Sequence, residues 1–272
     1  MATYHRTEGI CLRRLDYSNT SQIATFLTRA RGRLSFLAKG IRRAPKHGIS
    51  SGFELLGRYE LIFTERRSSS LNNLTQNFLI EPFAGMRAAV ERVLCAYYAA
   101  ELALSLTAED EPCEGLYELI TASLRRFERG EDLGLSVLYL EIGALREHGA
   151  CPTFGACAMC SRRLPAKGRL LFSPEEGGTL CPACAQKLPP RIRPHGVPVH
   201  GRRLALLDAL SRRPFEALAG LDARPAEIVA ASRVLRFHMS HLVGKELTMW
   251  KYMQERHLSR TLRRFRRRAG VA

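Results

Sequence analysis

The sequence predicts an α+β fold: a small five-stranded barrel first, then a helical domain interrupted by a four-cysteine module. Three observations predict it. The first 80 residues hold five short β-rich stretches separated by turn residues, with no good helical window. From residue 81 the apolar spacing becomes helical, and after a break it becomes helical again. In the break stand Cys157-Ala-Met-Cys160 and Cys181-Pro-Ala-Cys184, two C-x2-C pairs with twenty residues between them. The units expected are a barrel over 1–80, a first helical part over 81–150, a zinc module over 151–200, and a second helical part with a basic tail over 201–272.

Each strand has its own warrant. Ile10, Leu12 and Leu15 lie in a first stretch that ends at the turn Asp16-Tyr17-Ser18-Asn19. Ile23 to Thr28 is β-rich. Leu34, Phe36 and Ala38 alternate with Arg33, Ser35 and Leu37, and Tyr59, Leu61 and Phe63 alternate with Arg58, Glu60, Ile62 and Thr64. A fifth stretch runs from Leu71 to Ile80. The commonest five-stranded barrel that handles single-stranded nucleic acid is the OB-fold. Phe36, Tyr59 and Phe63 are candidates to stack on bases, although barrel core is the plainer role for them.

The helices follow from a period of 3.6. Met86, Val90, Val93, Leu94, Tyr97 and Glu101 to Leu104 share one face. Pro112 and Gly130 bracket a second helix with Leu116, Leu119, Ile120, Leu124 and Phe127. Leu138, Ile142 and Leu145 carry a third, ending near Gly149. Beyond the module, Leu204, Leu207 and Leu210 mark a fourth. Ile228, Ser232, Leu235, Met239 and Leu242 mark a fifth. A last helix is expected from Met249 through Trp250 and Met253 to Phe265.

The cysteines are the sharpest signal. Each C-x2-C pair brings two thiolates within reach of one ion, and two pairs complete a tetrahedron. Cys157, Cys160, Cys181 and Cys184 are therefore expected to hold one Zn²⁺. Four thiolates leave no open position, so the ion is structural. Phe172-Ser173-Pro174-Glu175-Glu176-Gly177-Gly178 between the pairs reads as a strand and a turn, as in a zinc ribbon. Cys151 stands close enough to make the ligand set ambiguous. Cys11, Cys95 and Cys113 sit in strand or helix patterns and read as core.

Charge points to the partner. The 272 residues carry 42 Lys and Arg against 26 Asp and Glu, a net +16. The excess is segregated: residues 1–80 are net +8, 81–150 net −7, 151–200 net +5, 201–250 net +3, and the last 22 residues net +7. Segregated charge suits a polyanion. Arg29, Arg31 and Arg33, with Lys39, Arg42, Arg43 and Lys46, would form a phosphate-contacting rim on the barrel. Arg260, Arg263, Arg264, Arg266, Arg267 and Arg268 form a second cluster, of a residue type that forks phosphate well.

Several classes are disfavoured. There is no phosphate-binding G-x-x-x-x-G-K-[ST], no G-x-G-x-x-G, no H-E-x-x-H and no G-x-S-x-G. The chain reads as a binding protein with no catalytic residues and no nucleotide. No apolar run reaches the roughly 18 residues of a membrane span. The start shows no secretory core, and eight cysteines without one suit a reducing cytoplasm.

The residues converge on a resemblance. Glu8-Gly9-Ile10-Cys11-Leu12-Arg13-Arg14-Leu15-Asp16-Tyr17, Phe26-Leu27-Thr28, Gly32-Arg33-Leu34 and Ala38-Lys39-Gly40 look like the N-terminal part of one family. So do Leu145-Arg146-Glu147-His148-Gly149, the Phe172 to Gly178 turn between the cysteine pairs, and Leu235-Arg236-Phe237-His238. In these parts and their order the chain resembles the RecO family of bacterial DNA repair proteins. That family does not always keep the cysteines, and here all four are present.

The resemblance implies an OB-fold, a helical domain and a zinc module packed on it. It implies binding of single- and double-stranded DNA and annealing of complementary strands. Family members act with RecR, and in some lineages RecF, to load RecA onto strands coated by single-stranded-DNA-binding protein (SSB). Arg13 and Arg14 would join Lys39, Arg42 and Arg43 as DNA contacts. The stretch from Leu235 to Met253 would belong to the helical domain, on which the acidic, apolar SSB tail docks. Leu235, His238, Met239 and Leu242 are its candidate contacts. Localisation would be cytoplasmic and nucleoid-associated. The arginine-rich extension, with Arg263, Arg264 and Arg267, has no match in the family. The alternative reading is a zinc-ribbon RNA-binding or ribosome-associated factor. An enzyme with a four-cysteine zinc lid, like zinc-bearing kinases, is disfavoured by the missing phosphate-loop glycines.

Overall fold

A computed structural model describes residues 3–42, 52–65, 71–188, 196–214 and 223–253. Its first strand, β1 (Tyr4–Asp16), is long because it serves two neighbours. Residues Tyr4 to Ile10 pair with β4 (Arg58–Thr64), and Gly9 to Asp16 pair with β2 (Gln22–Thr28). A bulge between Cys11 and Arg13 turns the strand from one partner to the other. β3 (Gly32–Ala38) continues antiparallel to β2. β5 (Leu71–Glu81) closes the ring, parallel to β3 and antiparallel to β4, giving the order β1-β2-β3-β5-β4. This is the expected OB-type barrel.

Alternation decides what fills it. Phe26, Phe36, Tyr59 and Phe63 point inward and are fully buried with Phe53. Their rings meet edge to face at 5.0–5.8 Å between centroids. Each such pair adds about 0.5–1.5 kcal/mol beyond the area it buries. Phe36, Tyr59 and Phe63 are thus barrel core and unavailable to bases.

After a 3-10 turn at Ala84–Ala88 come α1 (Val90–Leu106), α2 (Glu114–Arg129) and α3 (Leu133–Glu147). α2 buries the expected Leu116, Ile120, Leu124 and Phe127 and ends on Gly130 at φ 70°. α3 starts where the Asp132 side chain accepts the Leu135 N–H at 3.0 Å. α1 corrects the expected face. Val90 and Tyr97 are exposed, and Cys95, Tyr98, Ala99, Leu102 and Leu106 are buried. The helix is apolar nearly all round, so periodicity could not choose its face. The alanines allow the closest approach, and they point inward.

The module interrupts the helices. β6 (Arg169–Ser173) lies between β7 (Gly178–Leu180) and β8 (Val197–His200), and the short α4 (Pro182–Lys187) follows β7. α5 (Gly201–Arg212) and α6 (Pro225–Val243) then pack back on α3. One core unites the helices on both sides of the module. It includes Phe154, Leu170, Phe172 and Val199 from the module and Ile10, Leu12 and Leu27 from the outside of the barrel. Helix resumes over 248–253, where Glu101 accepts the Thr248 and Met249 N–H groups at 2.7 and 2.8 Å. The rest of the expected last helix lies outside the described residues. No helix among the described residues is long and apolar enough to cross a membrane.

The barrel is stapled to the helices by charge. Arg58 bonds Glu8 and Glu81, and Arg125 of α2 takes the same Glu81 at 2.8 Å. Arg125 and then Arg58 hold the Glu81 carboxyl below the usual range, against the opposing effect of burial. The tightest contact is backbone on backbone. Gly32 has φ +62°, and a Cβ there would stand 1.8 Å from the Glu111 carbonyl oxygen. Gly32→Ala is expected to cost about 1–3 kcal/mol through the φ and the clash together. Chemical denaturation tests this, and a wild-type midpoint for the variant would show that the contact is absent.

Candidate metal centre and nucleic-acid interface

The four cysteines come together as the spacing requires. Cys157 and Cys160 lie in a loop held by Cys157 N–H to Arg162 O at 2.8 Å and Ser161 N–H to Cys157 O at 2.8 Å. Cys181 precedes α4 and Cys184 lies within it. Their Sγ atoms all lie within 4.8 Å of one another, and Cys160 Sγ is 3.9 Å from Cys181 Sγ. Four sulfurs on one ion at the Zn–S bond length stand about 3.8 Å apart, so this donor set fits a tetrahedral thiophilic ion.

Backbone groups support the sulfurs. The Cys181 N–H donates to Cys157 Sγ at 3.4 Å. Burial works against ionising Cys157, but N–H groups of Cys181, Cys160 and Met159 outweigh it and bring the thiol down to about 6. Cys157, Cys181 and Cys184 are buried and Cys160 is exposed. Cys151 is outside the cluster and packs against the helical core, so the candidate ligand set is the other four. Cys11 and Cys95 are buried, and burial pushes both thiols up to about 12, consistent with inert core positions. Cys113 is half-buried.

The basic residues divide sharply. Arg13, Arg14 and Lys39 are exposed. Arg14 also donates to the Phe53 carbonyl. Arg42 pairs with Asp16 at 3.0 Å while its backbone N–H bonds Thr20 O at 3.1 Å. Such an exposed pair contributes at most about 1 kcal/mol and leaves the guanidinium available to a stronger anion.

Arg31 and Arg33 differ from the expected outward rim. Arg31 forks Asp110 through Nε at 3.0 Å and Nη2 at 2.9 Å, and also bonds Glu65. Arg33 donates to the Leu104 carbonyl at 2.9 Å. Arg29 pairs with Glu114 and Glu118. Arg29 and Arg31 hold the barrel against the acidic start of α2 and the loop before it, and Arg33 holds it against the end of α1. Strand alternation could not show that an acidic neighbour faces them. Arg43, Lys46, Arg263, Arg264 and Arg267 lie outside the described residues.

The rim also has an aromatic that the sequence pattern passed over. Tyr17, in the β1–β2 turn, is 64% exposed. Its neighbour Asp16 binds Arg42, and its N–H bonds Ser21 O at 3.0 Å. A tyrosine in a turn beside arginines was the available signal. The turn residues around it drew the reading toward loop chemistry alone. On α6, Leu235 and Met239 are fully buried and His238 is nearly so, with Nε2 2.9 Å from Ala150 O. They are core residues joining α6 to the module. Of the four candidate partner contacts, Leu242 alone offers surface.

A closed OB barrel, a helical core and a four-cysteine module inserted between its helices define the class: an OB-barrel protein whose helical domain carries a candidate metal module. The chain belongs to the RecO family. The model of the Recombination protein O N-terminal domain matches residues 1–83, and that of the C-terminal domain matches residues 87–251. A DNA repair protein RecO of Anaeromyxobacter sp. (strain Fw109-5) is 32% identical over 251 residues, 91% of this chain and 94% of that protein. Those of Syntrophus aciditrophicus and Bacillus pumilus are 28% and 27% identical, over 92% of this chain and 95% and 93% of theirs.

Proposed function

We propose that the protein is a non-enzymatic recombination mediator. It binds single- and double-stranded DNA, anneals complementary strands, and with RecR, and in some lineages RecF, helps load RecA onto SSB-coated DNA in the nucleoid. Arg13, Arg14, Lys39 and Arg42 would neutralise phosphates along the barrel rim, releasing counterions while bases stay free to pair. Tyr17 would stack on a base beside them. No nucleotide is needed, because bringing two screened strands together is downhill once pairing begins. One Zn²⁺ on Cys157, Cys160, Cys181 and Cys184 would supply a rigid cross-link and no Lewis acid.

The observation that carries this reading is the exposed basic rim with Tyr17 on the β1–β2 side of an OB barrel, the side such barrels use for nucleic acid. The decisive experiment is strand annealing with complementary DNA coated by the cognate SSB, without ATP. Pairing should be clearly faster with the protein. Arg13→Ala/Lys39→Ala should slow it and lower the salt slope of binding by about 1–2. A flat assay together with preferential binding of structured RNA would favour the ribosome-associated alternative.

A further inference from the structure

Most arginines around the barrel are engaged within the chain. Those of the zinc module are not. Arg162, Arg163 and Lys167 of one loop and Arg169 at the start of β6 fall within eight residues, and all are exposed. None makes an ion pair among the described residues. The barrel's Arg29, Arg31, Arg42 and Arg58 all do.

The loop is fixed in place. Arg163 bridges Ala156, and the Leu164 N–H bonds Gly155 O at 3.0 Å. Its far end rests on the start of α5, where the Gly201 N–H bonds Gly168 O at 3.0 Å. The fit is tight: a Cβ on Gly201 would meet Pro165 O at 2.6 Å. Arg169 pairs with His200 across the sheet, so the loop and the exposed Arg203 of the first turn of α5 share one end of the module. The module's acidic residues, Glu175 and Glu176, sit beyond the other end of β6. A strand of that length separates the two ends by about 13 Å. Charge is thus sorted along the module, and the α5 dipole adds to its positive end.

We propose, on top of the DNA-binding reading above, that this end of the zinc module is a second phosphate-binding surface for a nucleic-acid strand, separate from the barrel rim. Annealing requires two polyanions held close together. Two basic surfaces carried by parts that share one hydrophobic core would meet that need, while Arg29 and Arg31 of the barrel are already paired with Glu114, Glu118, Asp110 and Glu65. The metal would keep the loop in register with α5.

The test uses the full chain with its metal and the triple variant Arg163→Ala/Lys167→Ala/Arg169→Ala. Anisotropy of a labelled oligo-dT strand and of a duplex is followed across a salt titration. The triple variant should bind at least about tenfold more weakly, with the salt slope reduced by about 2 on the single strand and nearer 3 on the duplex. Its zinc content should stay at the wild-type value. Arg163→Lys/Arg169→Lys should keep most of the slope, because the charges remain. Affinity and slope within twofold of wild type for the triple variant would overturn the second surface and leave the barrel reading standing. Equal loss in the lysine variant would trace the effect to folding and overturn it too. If the triple variant loses binding to anionic phosphatidylserine vesicles but not to DNA, the surface belongs to lipid and the proposal falls. A wild-type protein that binds neither DNA would overturn both readings.

Discussion

Cys181→Ser, or removal of the metal by a strong chelator, is expected to unfold the knuckle half of the module and leave the rest of the protein folded. The hydrophobic cluster on that side is small: Leu180 and Leu188 beside Cys157, Cys181 and Cys184. Two leucines contribute a few kcal/mol of burial, about 1.5–3 each. So small a cluster cannot by itself offset the conformational entropy of ordering the two knuckles, and in small zinc folds the ion supplies the missing stabilisation. The other half is anchored differently. Phe154, Leu170, Phe172 and Val199 belong to the main helical core, so β6 and β8 should persist. Metal analysis should fall from one zinc per chain to none. Hydrogen exchange should accelerate at the Cys157 and Ala158 amides, which bond Arg162 O and Thr179 O, while the barrel amides keep their protection. Full protection of those two amides in metal-free protein would show that the module needs no ion.

How much of this was legible in the sequence follows from the range over which each signal acts. The barrel strands and most helices were readable because inward side chains alternate at two or recur at 3.6, and those periods are local. The meeting of the four cysteines was readable because C-x2-C is a local geometry and two such pairs suffice to build a cluster. The face of α1 was not readable, since nearly all its surface is apolar and its neighbours decide. The basic rim was legible as composition and misread as geometry. Arg31 and Arg33 look outward by strand alternation, yet Asp110 and Leu104, far along the chain, draw them into the barrel–helix joint. Leu235, His238 and Met239 were offered to a partner, yet the same periodicity that marks a helix face marks its core.

Buried charge was the least legible feature, and it makes the strongest prediction about the helical core. Glu141 stands in the apolar run Leu138-Tyr139-Leu140-Glu141-Ile142 and is fully buried. Its Oε1 accepts from Tyr98 OH at 2.8 Å and Arg236 Nε at 2.9 Å, and its Oε2 accepts from Ser232 Oγ at 2.6 Å. One carboxylate therefore ties α1, α3 and α6 together. The Arg236 guanidinium also lies over Trp250, the single tryptophan of the chain. Burial pulls the Arg236 pKa down, and Glu141 opposes that shift. Glu141→Leu removes the counter-charge and leaves Arg236 desolvated, at an expected cost of about 3–5 kcal/mol. In a chain of this size the thermal midpoint should fall on the order of 10 °C. Trp250 fluorescence should change at temperatures where the variant is still folded, because its cation partner shifts. Adding Arg236→Met to Glu141→Leu should recover part of the loss, since the unpaired buried charge is gone while Tyr98 OH and Ser232 Oγ still lack the Glu141 acceptor. If Glu141→Leu alone melts within two or three degrees of wild type, the network is not a closed buried pair and water reaches it. If the double variant is worse than the sum of the single ones, the charges also fix how the helices pack.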